Sequence, residues 1–145
     1  MLPIANKVNR KVLTQNKEDL KRLGVEALIL FGSQAQGIAS QSSDYDVGVL
    51  VKDNRILQSP RQRSELYDTL YNILSNIIQQ LINIDVVFLD DAPAELQMHV
   101  VKHGVPIYEE SGYAFLRFKE RVMLSYADFA PYRETFHKSI LSRIP

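Results

Sequence analysis

Seven apolar residues recur at helical spacing in the middle of this chain, between short runs of strand character, and that alternation limits the fold more than any other feature. Leu66, Leu70, Ile73, Leu74, Ile77, Ile78 and Leu81 fall at i, i+4, i+7, i+8, i+11, i+12 and i+15. They form one wide apolar stripe on a 3.6-residue period, which predicts a helix from Pro60 to about Leu81 with one face buried. Before it, Tyr45 to Val51 (YDVGVLV) reads as a strand with Lys52-Asp53-Asn54 as its turn. After it, Ile84 to Leu89 (IDVVFL) reads as another. Earlier still, Glu26 to Phe31 (EALILF) reads as a buried strand that breaks at Gly32. Asp91-Ala92-Pro93 opens a further helix, with Pro93 in its first turn and Glu95 near the positive end of its dipole. Gly104 closes that helix, and Val105 to Tyr108 is a short strand placed at an edge by Pro106. Such alternation predicts an α/β fold (α+β in the wider sense): a small mixed β-sheet flanked by helices.

The ends of the chain are helical. Val8, Val12, Leu13, Leu20 and Leu23 keep helical spacing, with Thr14 or Asn16 as a cap and Gly24 as a stop. From Ser111 onward, Phe115, Phe118, Val122, Tyr126 and Phe129 share one face, and Pro131 kinks this helix or starts a second one carrying Tyr132 and Phe136. We expect residues 1–110 to form a core and 111–145 a helical extension of the same domain. A chain of 145 residues buries a sufficient core without staples. Having no cysteine, it excludes a disulfide framework, thiolate-held zinc and cysteine nucleophiles. Its 17 basic and 17 acidic residues leave no excess that advertises direct nucleic-acid binding. The start lacks a signal-peptide core, and the apolar runs are too short to span a membrane. A cytoplasmic, prokaryotic setting is the expectation.

The chemistry concentrates in Gly32-Ser33, ten intervening residues, and Asp44-Tyr45-Asp46. Alternate strand residues share a face, so Asp44 and Asp46 converge. Two carboxylates held that close repel each other unless a cation neutralises them, and a hard, oxygen-liganded ion such as Mg2+ suits them. Asp85 enters the next strand and joins the cluster if that strand lies beside the second. Three such carboxylates could hold two metals about 4 Å apart, the arrangement that clamps the attacking and leaving oxygens in phosphoryl transfer. Gly32 lets backbone approach a phosphate closely, and Ser33 with the following amides offers N–H donors. An Asp-x-Asp alone usually marks a solvated strand end, and a Gly-Ser alone a turn; their conjunction with Asp85 carries the weight. His99 and His103 have the i, i+4 spacing of a zinc pair but lack a third ligand, which favours an exposed helix face.

This set of Gly32-Ser33, Asp44, Asp46 and Asp85 resembles the motif of the minimal nucleotidyltransferases in the polymerase-β-like superfamily. The likeness runs from about Gly24 to Tyr108, and Tyr126-Ala127-Asp128-Phe129 adds a likeness to the antitoxins of that family that pair with HEPN ribonuclease toxins. The resemblance implies a nucleotidyltransferase fold and an adenylyltransferase that moves AMP from ATP to a tyrosine of its toxin, forming a hetero-oligomer with it. Asp44, Asp46 and Asp85 would bind Mg2+, Asp85 also serving as a possible base, while Gly32, Ser33, Gln34 and Gln36 would hold the nucleotide. The family often has arginine where Gln34 and Gln36 stand, and glutamine brings no charge to a triphosphate. Either affinity for the triphosphate is then lower, or another cation such as Lys52 or Arg63 reaches in. Two other readings stay open: an antitoxin that blocks its toxin without catalysis, and a transferase acting on a small molecule.

Overall fold

The computed structural model describes residues 8–32, 44–78 and 83–128. In chain order they form α1 (Arg10–Gln15), α2 (Lys17–Arg22), β1 (Val25–Phe31), β2 (Tyr45–Val51), α3 (Arg55–Gln58), α4 (Pro60–Ile77), β3 (Ile84–Phe88), α5 (Ala94–His103), β4 (Val105–Glu109) and α6 (Ala114–Asp128). A 3-10 turn, Leu89–Asp91, follows β3. The sheet order is β3-β2-β1-β4. β1 runs antiparallel to both of its neighbours, and β2 is parallel to β3. That parallel pair requires a crossover, which α3 and α4 supply.

Alternate side chains divide the sheet into two buried faces. Leu28, Leu30, Val47, Val49 and Val86 pack against Leu13 of α1, Leu20 of α2, and Leu66, Leu70, Leu74 and Ile77 of α4. Ala27, Ile29, Phe31 and Leu50 face the other way, onto Val100 of α5 and Phe115, Phe118 and Val122 of α6. Cover on both faces is why β1 and the end of β2 are near-continuous apolar runs. Gly48 lets the 3-10 turn close on the second face, since a Cβ there would lie 2.7 Å from the buried Leu89 side chain. Among the described residues, no helix is long and apolar enough to cross a membrane.

The structure moves several boundaries. α4 ends at Ile77, and Ile78 turns extended with φ −96° and ψ 94°. Ile78 stays fully buried because it bridges Val8, while the Ile77 carbonyl accepts from Asn9 N–H at 2.8 Å. Apolar spacing records burial and cannot tell a last helical turn from a bridge; Leu81 lies outside the described residues. Asn9 caps the first helix, its side chain accepting from Lys11 and Val12 N–H, and the new turn expected at Thr14 or Asn16 starts at Asn16. Asn16 sits between α1 and α2 without a side-chain cap, because its amide donates to the Val12 carbonyl. Pro93 occupies the N-cap position of α5 and not its first turn. The turn after β2 continues into α3, and α6 begins at Ala114, after Ser111. Phe129, Pro131, Tyr132 and Phe136 lie outside the described residues.

Candidate active site

The sheet pairing gathers the acidic residues. β1 and β2 are antiparallel, so the end of β1 meets the start of β2 and Phe31 stands opposite Asp46. β2 and β3 are parallel, and their register sets Asp46 opposite Asp85. Neighbouring strands lie about 4.8 Å apart, so these two carboxylates rise side by side. Both extend toward the face that carries α5 and α6, as the alternation with Gly48 and Leu50 requires. Asp44 is exposed one step before β2, Asp46 is half-buried, and Asp85 is exposed.

The electrostatics follow from that arrangement. Burial, and after it the charges of Asp85 and Asp44, push the Asp46 carboxyl above its ordinary value of 3.8, while His99 acts in the opposite direction. Gly32 makes the crowding possible. Its φ is 75°, in the region that favours glycine. A Cβ at this position would lie 2.2 Å from Asp46 Oδ2 and 3.1 Å from Cγ. The missing side chain therefore leaves room for the carboxylate itself, a role distinct from the expected approach to phosphate. Ser33, Gln34 and Gln36 lie outside the described residues.

This donor set fits Mg2+. It offers hard carboxylate oxygens and like charges that gain from a cation, and Gly32 leaves the Asp46 carboxylate the room to take its place among them. Among the described residues, no three acidic or histidine side chains form a ready-made metal cage. Mg2+ sites at nucleotides commonly use one or two carboxylates and complete the shell with phosphate oxygens and water.

The candidate cations for the triphosphate do not reach this end of the sheet. Lys52 follows the last residue of β2, where its backbone N–H bonds the Gly24 carbonyl and its ammonium pairs with Glu110 at 2.5 Å. Arg63 pairs with Asp91 and lies over the Phe88 ring, 4.9 Å from its centroid. A strand rises about 3.3 Å per residue, so the length of β2 separates Lys52 from Asp46.

His99 departs from the exposed helix face that its spacing favours, whereas His103 keeps to it. It is half-buried, and its ring meets Phe31 edge-on with centroids 6.4 Å apart. Its other ring neighbour is His103 at 5.0 Å. α5 returns toward the site because Gly104 ends it and Val105 pairs with Leu30. The i, i+4 spacing was the available signal; the side of the sheet that it faces was not.

The chain is similar to known proteins over most of its length. The family model for the polymerase beta nucleotidyltransferases matches residues 11–113. The protein adenylyltransferase MntA of Aphanizomenon flos-aquae (strain 2012/KM1/D3) is 30% identical over 114 residues, covering 77% of this chain and 75% of the relative. Among solved structures, a toxin–antitoxin complex with AMP-PNP superposes with a TM-score of 0.67 at 22% identity, covering 92% of this chain and 99% of that one. The MNT antitoxin in complex with tri-AMPylated Shewanella oneidensis HEPN toxin gives a TM-score of 0.57 at 20% identity, covering 88% and 98%. At such identities the structures show a shared fold. With carboxylates aligned across β2 and β3 and a family match over most of its length, the chain belongs to the polymerase beta nucleotidyltransferase family.

Proposed function

We propose that this protein transfers AMP from ATP to a tyrosine hydroxyl of a HEPN-type toxin, and so acts as its antitoxin in the cytoplasm. The observation that carries the reading is the in-register pair Asp46–Asp85 beside Gly32, within a chain 30% identical to a protein adenylyltransferase. The acceptor oxygen attacks the α-phosphorus of ATP, the bond from that phosphorus to the bridging oxygen breaks, and pyrophosphate leaves. Asp44, Asp46 and Asp85 would hold Mg2+, which supplies charge neutralisation for the phosphates and lowers the barrier to ionising the acceptor. Asp85 is exposed beside the half-buried Asp46, which suits a group that takes the acceptor's proton. An ordinary tyrosine hydroxyl ionises near pH 10, so attack at neutral pH needs such help. Gly32 keeps the Asp46 carboxylate free, and Ser33, Gln34 and Gln36 would cradle the phosphates.

One experiment tests this. The protein is incubated with the toxin encoded beside its gene, ATP and Mg2+, and the toxin is weighed by mass spectrometry. Added AMP on a tyrosine, absent with Asp46→Asn, is the expected result. An unmodified toxin under conditions where the two proteins bind would sink it. Gln34 and Gln36, where the family often has arginine, favour a second reading in which the antitoxin blocks its toxin by binding alone. Under that reading Asp46→Asn still neutralises the toxin as well as wild type.

A further inference from the structure

We infer that His99 is a nucleotide-binding residue of this site, its imidazole N–H donating to a phosphate oxygen of bound ATP. The inference rests on the proposed adenylyl transfer and adds to it a residue that neither the family motif nor the acidic cluster includes.

Position carries most of the weight. His99 lies against Phe31, and Phe31 is the register partner of Asp46 across β1 and β2. The ring therefore sits at the carboxylate end of the sheet, on the face toward which Asp46 and Asp85 extend. It is half-buried there, held by the edge contact to Phe31 on one side and by the His103 ring on the other. Two rings that limit its freedom give it a low ordering cost when it engages a ligand.

Need is the second consideration. A triphosphate would bring several negative charges to an end of the sheet where Asp46 already stands beside Asp85. Residues 34 and 36 are glutamines, a side chain that brings no charge. Lys52 and Arg63 are paired at the other end of the sheet. Histidine is suited to the gap, since it donates as a neutral ring and does so more strongly as a cation.

The test compares wild type with His99→Phe and His99→Arg. Phenylalanine keeps a ring against Phe31 and removes the N–H; arginine restores donors and charge. Calorimetry with AMP-PNP and Mg2+ reads binding without any partner, and transfer to the toxin reads KM for ATP and kcat separately. His99→Phe should weaken AMP-PNP binding and raise KM for ATP about tenfold, the loss expected for one hydrogen bond to a charged group, with kcat within about twofold. His99→Arg should recover most of the loss. If His99→Phe fails to fold, His99→Ala carries the same expectation. Wild-type binding and KM in His99→Phe, with an active wild type, overturn the role of His99 alone. A wild type that neither binds AMP-PNP nor modifies the toxin overturns the adenylyl-transfer reading, and this inference with it.

Discussion

The two ends of the sheet handle charge in opposite ways. At the end where β1 finishes and β2 begins, Asp46 faces Asp85 in register and feels Asp44, and the result is a carboxyl driven upward. At the other end, acidic side chains meet basic ones: Lys52 with Glu110, Arg55 with Asp53, Arg63 with Asp91 and Arg121 with Asp90. The paired end needs nothing further. The acidic end keeps like charges together, and a cation bound there would relieve them, so the two ends of one sheet differ in what they would gain from a ligand. Glycine follows the same division. Gly32 leaves room for a carboxylate, while Gly24, also at positive φ, has nothing within 4 Å of where a Cβ would stand.

The largest effect should come from removing charge at the acidic end. Asp46→Asn should lower AMP transfer by about 10²-fold or more, as losses of transition-state electrostatics do. The same change should not destabilise the free protein, because the charge it removes is disfavoured. Sign follows from linkage. Asp46 holds its proton to higher pH in the folded chain than in the unfolded one, so stability falls as pH rises from the ordinary value of 3.8 through the raised folded value, and then levels. Melting curves across that window without Mg2+ should show the decline in wild type and a weaker one in Asp46→Asn. A steeper decline in the mutant would break the contrast between the two ends.

Next comes Gly32→Ala. A left-handed backbone costs a non-glycine residue about 1–2 kcal/mol, and the new Cβ also collides with Asp46. Activity should fall with stability, whereas Gly24→Ala should lose only the backbone part. Equal losses in urea melts and in transfer rate would mean that the room beside Asp46 is unimportant. Gly48→Ala probes the packing between the ends: its Cβ would meet the buried Leu89, and about 1–3 kcal/mol of stability should go, with KM for ATP unchanged. Smallest is Lys52→Ala. It breaks a partly exposed pair and should cost at most about 1 kcal/mol, with no change in AMP-PNP affinity by calorimetry. Weaker nucleotide binding in this variant would bring Lys52 back as a phosphate ligand.

Much of the fold was legible in the residues. The boundaries of β2 are legible because apolar character and flanking polar residues change together at Tyr45 and Val51. The edge position of β4 followed from Pro106, and the close of α5 from Gly104. The acidic residues were readable because Asp44 and Asp46 stand two apart at the mouth of an apolar strand. What one-dimensional spacing could not supply was partnership. Ile78 has the same apolar spacing whether it continues a helix or bridges Val8. Lys52 and Arg63 are basic in the sequence wherever their strands and helices end. Gly32 reads as a turn until Asp46 is brought beside it.

By itself, then, the sequence determined which segments are helix and strand and which carboxylates are candidates for a metal, since both depend on local period and residue type. Tertiary structure decided the register that sets Asp46 beside Asp85, the glycine that makes room for it, and the return of α5 that brings His99 to Phe31. Each of these is a contact between residues more than a dozen positions apart. Contacts of that kind arise from strand pairing and packing, and residue order alone does not encode their distances.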